Sequence, residues 1–128
     1  MISLLFQKKI YKVKDSDLCL SGTSEIALAG YFRNKTLKNE KLPIRLTAMS
    51  RCYRAETSGL LEEKGIYRVH QFNKVEMFAI CNENDSENVL EEFKNIEINL
   101  YNQLELPFKL LDMPPSELGA PANRYFKK

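Results

Sequence analysis

The sequence predicts an α+β fold, an antiparallel β-sheet flanked by helices within a single domain spanning residues 1–128. Three observations carry that reading. Two β-prone segments with period-two patterning lie on either side of a polar, glycine-flanked stretch, the pattern then switches to helical spacing, and the length of 128 residues suits one ordinary domain. Composition agrees: 44% hydrophobic and 28% charged residues with only five Gly and five Pro are far from a disordered or low-complexity chain.

The opening MISLLFQKKIYKVKDSD is basic and partly apolar, yet it carries Asp15 and Asp17 and runs straight into structured sequence. It is therefore read as part of the domain and not as a cleavable signal. A domain that starts at once is what an internal piece of a larger protein shows. Thr23 next reads as the cap of a short helix in SEIALAGYF, with Glu25 in its positive first turn and Gly30 near its end. Pro43 leads into the alternating stretch IRLTAMSRCYRAE, TSGLLEEKG is polar, and IYRVHQFNKVEMFAI is again β-prone. Together they predict one long antiparallel hairpin over about 45–80 with a loop from Thr57 to Gly65 that is long enough to be functional. From Asp85 the spacing becomes helical, placing Val89, Phe93, Ile96, Leu100 and Leu104 on one face of a helix over about 85–105, where a stripe of this kind packs into a core. FKLLDM, after LELP, reads as a further strand.

Charge and cysteine usage exclude several function classes. Nineteen Lys plus Arg against seventeen Asp plus Glu give a net charge of +2, too balanced for nucleic acid or anionic membrane to be the default partner. The apolar run Ile26–Ala29 is far short of the ~20 residues a membrane span requires, so no membrane partner is expected. Cys19, Cys52 and Cys81 are odd in number and widely spaced with no CxxC pair, which fits neither a disulfide framework nor a zinc site and favours a reducing compartment. His70 is the single histidine, with no candidate metal partner or nucleophile beside it, and is assigned no catalysis.

Strand alternation gathers the chemistry. Arg68, His70, Phe72, Lys74 and Glu76 share one strand face, and Cys52, Arg54 and Glu56 share a face of the partner strand that the hairpin sets alongside. An arginine fork grips phosphate or carboxylate, an aromatic ring between cations offers a surface to a base, and carboxylates accept hydrogen bonds from an amino group. The same alternation also fits a solvated strand face with weak cross-strand pairs, and Thr23 and Glu25 fit equally a helix cap and its dipole partner.

A resemblance separates these readings. CYRAETSGLLEEKGIYRVHQFNKVEMFAI, Cys52 to Ile80, closely resembles the second signature motif of seryl-tRNA synthetases, a class II family. GTSEIALAGYF, Gly22 to Phe32, resembles that family's serine-binding segment, and LLDMPPSELGAPA, Leu110 to Ala122, resembles the sequence downstream of the motif. The wording CYRAET with EEKGIYRVHQF is most similar to the animal mitochondrial branch, which implies a mitochondrial matrix location, with the cytoplasm as the alternative. The fold implied is part of a class II catalytic core.

By position, the resemblance implies that Arg54 is catalytic, holding the α-phosphate and the serine carboxylate, while Glu56 meets ATP at its adenine end. Arg68 would meet the outer phosphates, Phe72 would stack on adenine, and Thr23, Glu25 and Glu76 would form the serine subsite. The implied reaction is ATP-dependent formation of seryl-adenylate followed by transfer of serine to tRNA(Ser). Mg²⁺ is an expected cofactor with its ligands mostly outside this chain, and no residue here is assigned to a metal. The family is homodimeric, but no segment of the 128 residues resembles its dimerisation motif, its third motif or its tRNA-binding arm. The expectation is therefore a truncated catalytic core, inactive alone. The alternative is a non-catalytic synthetase-like protein that associates with another chain.

Overall fold

The computed structural model describes residues 10–56, 68–119 and 122–127, and the expected loop Thr57–Gly65 lies outside them. The chain divides into two compact units between Ile80 and Cys81. In the first, helix α1 (Glu25–Phe32) precedes an antiparallel hairpin of β1 (Ile44–Tyr53) and β2 (Gln71–Ile80). The register pairs Ile44 with Ile80, Ala48 with Glu76, Ser50 with Lys74 and Cys52 with Phe72. Even-numbered residues of both strands therefore share one face.

That face is the covered one. Along β1 every even-numbered residue is half-buried or buried, Cys52 completely, whereas Met49 is 78% exposed and its cross-strand partner Val75 64% exposed. Phe72, Lys74 and Glu76 are half-buried in turn. The solvated-face reading is thus overturned for Phe72, Lys74 and Glu76, because the segment before α1 and α1 itself pack on this side, while Arg68 and His70 at the far end of the row stay exposed. Tyr53 N–H donates to Ser21 O at 2.9 Å, and the Phe32 and Phe78 rings stack at 6.5 Å. Helix α1 also starts one residue later than expected: Ser24 occupies the cap position and makes no side-chain capping bond, leaving Thr23 outside the helix. At the other end Gly30 lies inside the last turn, and the left-handed step falls on Asn34 at φ 61°, a conformation asparagine tolerates better than most residues.

In the second unit, α2 (Ser86–Gln103) leads to a two-residue ladder of β3 (Leu111–Asp112) and β4 (Phe126–Lys127). Only this part of FKLLDM is strand, and the pairing with Phe126–Lys127 is too short to leave a periodic signal. Arg124 knits the unit together: it donates to Asp112 Oδ2 at 2.7 Å, bonds Glu87 and lies 4.6 Å over the Phe126 ring. The apolar stripe of α2 is buried only at its start. Val89 is buried and Phe93 half-buried, but Ile96, Leu100 and Leu104 are 39%, 52% and 66% exposed, so the expected core packing fails over the last turns. Among the described residues no helix is long and apolar enough to cross a membrane.

The end of α2 carries a local strain that can be tested. Leu106 N–H donates to Tyr101 O and Glu105 N–H to Asn102 O, the two bonds of a Schellman closure. Its left-handed position, usually glycine, is occupied by Glu105 at φ 55°. Glu105→Gly is expected to stabilise the chain by about 0.5–1 kcal/mol, read as a rise in the urea midpoint; a fall would show that the glutamate side chain contributes more than the strain costs.

Candidate functional site: a polar row on the covered face of the hairpin

β2 sets its functional side chains in a line because its covered face takes every second residue. Successive same-face residues are about 7 Å apart, so the distance from Phe72 to Glu76 is about 14 Å. At the Glu76 end, Thr23 Oγ1 donates to Glu76 Oε2 at 3.1 Å, Lys74 Nζ donates to Thr23 Oγ1 at 3.0 Å, and Lys74 forms an ion pair with Glu76. The Glu76 side chain is 14% exposed and that of Lys74 25%. Thr23 reaches this position because Ser21 Oγ bonds Thr23 O at 2.8 Å while Ser21 O accepts from the end of β1. Its hydroxyl therefore serves the strand first and the helix second: Glu25 N–H reaches Thr23 Oγ1 only at 3.4 Å.

At the Phe72 end, the Arg54 guanidinium carbon stands 5.1 Å over the Phe72 ring, within reach of a cation–π attraction. Arg54 N–H donates to His70 O at 3.0 Å, which continues the hairpin pairing past Tyr53. His70 is braced in turn by Tyr11, whose hydroxyl meets Nδ1 at 2.5 Å. Beyond them Glu56 and Arg68 form a looser ion pair, Oε2 to guanidinium nitrogen at 3.6 Å, with Arg68 44% exposed.

The structure thus gathers Thr23 with Glu76, Arg54 with Phe72, and Glu56 with Arg68. Glu25 is the exception: it lies exposed in the first turn of α1 and joins the row only through its backbone N–H. Lys74 joins this cluster through Thr23 and Glu76; sequence reasoning placed it on the same face but gave it no role, and its signal was the i, i+2 spacing from Glu76 on one strand face. Between Thr23 and Glu25, the Ser24 hydroxyl is buried and has no hydrogen-bond partner. No group of three or more metal-ligating side chains occurs among the described residues, and Glu56 and Glu76 are each already paired with a cation. These residues do not form a magnesium site, and no metal-assisted step is derived from them.

Comparison with known proteins identifies the family. A family profile described as the tRNA synthetase class II core domain (G, H, P, S and T) matches residues 10–122. The serine–tRNA ligase of Borrelia recurrentis is 41% identical over 94% of this chain and 28% of its own length, and the mitochondrial serine–tRNA ligase of Bos taurus is 46% identical over 92% and 24%. Among solved structures, Pyrococcus horikoshii seryl-tRNA synthetase complexed with ATP superposes with a TM-score of 0.87 at 35% identity, covering 94% of this chain and 27% of that one. The cytoplasmic serine–tRNA ligase of Naegleria fowleri, in complex with AMP, gives 0.86 at 28% identity over 98% and 28%. The chain spans about a quarter of the length of these relatives. With most of its residues matched by the profile, the chain belongs to the class II tRNA synthetase core-domain family.

Proposed function

We propose that this chain is the serine- and ATP-binding part of a serine–tRNA ligase, which joins serine to ATP as seryl-adenylate and passes serine to tRNA(Ser). The observation that carries the reading is the single row on the covered face of the hairpin: an acidic subsite at Glu76, a guanidinium over an aromatic ring at Phe72, and a second arginine beyond. That order suits an extended ligand with an amino group at one end and a phosphorylated base at the other. Relatives whose structures hold ATP and AMP support the nucleotide assignment.

The chemistry asks little covalent work of the protein. A serine carboxylate oxygen forms the new bond to the α-phosphorus as the bond to the departing pyrophosphate breaks, so catalysis lies in alignment and charge neutralisation. Arg54 spans the reacting groups, gripping serine carboxylate and α-phosphate together. Phe72 holds that guanidinium near the adenine platform. The Glu56–Arg68 pair, long and partly exposed, costs little to open, which lets Arg68 turn toward the outer phosphates and leaves Glu56 for the adenine end. Thr23 and Glu76 serve the amino group and hydroxyl of serine, with Glu25 at the margin of that subsite.

Identity to the bovine and mouse mitochondrial ligases of 46% and 44% supports a mitochondrial location, and the reading extends to the family's homodimer and to Mg²⁺ supplied through residues outside this chain. For the 128 residues alone we expect weak ATP binding and no adenylate formation. The test is serine-dependent exchange of labelled pyrophosphate into ATP by the purified chain: background exchange with measurable ATP binding fits the reading, whereas a folded chain that binds no ATP sinks it. The exposed Ile96, Leu100 and Leu104 favour a second reading, a non-catalytic protein that associates with another chain. Its mark is a stable complex whose partner binding survives Arg54→Ala.

A further inference from the structure

We infer that Tyr11 is a positioning residue of the phosphate grip: its bond to His70 holds the backbone from which Arg54 reaches over Phe72. The inference rests on the reading of Arg54 given above and adds to it what sets that arginine in place. Arg54 is the first residue past the regular ladder, since β1 ends at Tyr53 and β2 begins at Gln71. Its root is tied across the hairpin by N–H donation to His70 O at 3.0 Å, and His70 itself lies outside both strands. A bond between two residues beyond the strand ends opens readily unless another contact holds them. The Tyr11 hydroxyl supplies that contact, standing 2.5 Å from His70 Nδ1.

Tyr11 is itself fixed. Residues 11–20 double back as a narrow ribbon, with Val13 N–H donating to Leu18 O and Leu20 N–H to Tyr11 O, each at 2.9 Å, and Lys12 bridged to Cys19. The next residue, Ser21, accepts from Tyr53 N–H at 2.9 Å. The bonds therefore close a circuit: Tyr11 to His70, His70 to Arg54, along the chain to Tyr53, across to Ser21 and back through Leu20 to Tyr11. Tyr53 is held by the ribbon and Arg54 by the return strand, and Tyr11 ties those two supports to each other. The head of Arg54 is held separately, because Phe72 sits in the ladder opposite the fully buried Cys52. With root and head both fixed, the guanidinium is in place before a ligand arrives, and little ordering cost falls on phosphate binding. Opening the circuit at Tyr11 loosens the root and leaves only the head contact. The Tyr11–His70 bond is exposed, so water replaces part of what it contributes, and its loss costs less than loss of the guanidinium itself.

The inference is tested by titrating the isotopically labelled 128-residue chain with ATP and following its resonances. Tyr11→Phe keeps the ring and removes only the hydroxyl, and ATP affinity is expected to fall about three- to tenfold. In an Arg54→Ala background the same change is expected to cost nothing further, because Tyr11 acts through Arg54. His70 is the single histidine of the chain, so its imidazole nitrogens are assigned without ambiguity, and Tyr11→Phe should move the Nδ1 resonance. On the other side of the bond, His70→Leu is expected to lose ATP affinity to the same extent, and His70→Gln, whose amide both donates and accepts, to recover most of it. Should Tyr11→Phe fail to fold, that pair of variants decides the question. Unchanged ATP affinity in folded Tyr11→Phe, an unmoved Nδ1 resonance, a full further loss in the Arg54→Ala background, or His70→Gln no better than His70→Leu would each overturn the inference. Failure of the underlying reading has a different mark, and the inference falls with it: Arg54→Ala then binds ATP as tightly as the unaltered chain.

Discussion

Arg54→Ala is expected to weaken ATP binding by roughly 10- to 100-fold, the equivalent of one lost charge-assisted phosphate contact of about 1.5–3 kcal/mol. The guanidinium is already in place in the absence of ligand, held 5.1 Å over Phe72 and anchored through its backbone to His70, so little ordering cost is repeated on binding. Serine binding measured in the presence of ATP should fall with it, because the same fork grips both anions. Calorimetric or resonance titration of the variant checks this; wild-type affinity for both ligands would remove Arg54 from the phosphate grip. Arg54→Lys should recover only part of the loss, since an ammonium supplies charge without a planar fork.

The second large effect is expected at Glu76. Alanine is smaller than serine, so size alone cannot exclude it, and discrimination must come from a buried acceptor that is left unpaired when the hydroxyl is missing. Glu76→Ala removes that acceptor. Serine affinity should fall by roughly 10- to 100-fold and alanine affinity by less, so that the preference for serine is lost. Competition between the two against a fixed ATP concentration measures the ratio directly, and a preserved preference for serine would place hydroxyl recognition elsewhere. ATP affinity should change little, because the nucleotide end of the row is about 14 Å along the strand.

Much of this was readable in the residues. Alternation over 44–56 and 66–80 gave the hairpin and the sharing of one face by Phe72, Lys74 and Glu76, since a pleated strand leaves a side chain no other choice. Which face is covered is a different matter. Alternation is symmetric between in and out, and by composition alone Met49 and Val75 belong inside while Lys74 and Glu76 belong in water. The outcome was decided by a segment distant in sequence, Ser21–Thr23, whose hydroxyl and carbonyl groups dock against the polar side of the hairpin. Thr23 was misread as the helix cap, a position Ser24 holds, for the same reason that it is available to Glu76: a short hydroxyl side chain just before a helix reaches neighbouring backbone or a neighbouring strand equally well. On α2 the spacing gave the stripe, but burial of Ile96, Leu100 and Leu104 depends on what lies opposite, which periodicity does not encode.

The outward Met49–Val75 pair has a practical consequence for following assembly. A thioether at 78% exposure is open to mild peroxide and converts to the sulfoxide at a rate set by solvent access. Oxidation at Met49 is chemically separate from the polar row on the opposite side of the hairpin, so a mass shift of its peptide reports on the outer face without perturbing the ligand side. Slower sulfoxide formation when the sequence is embedded in a longer protein or mixed with another chain would mark that face as an interior one.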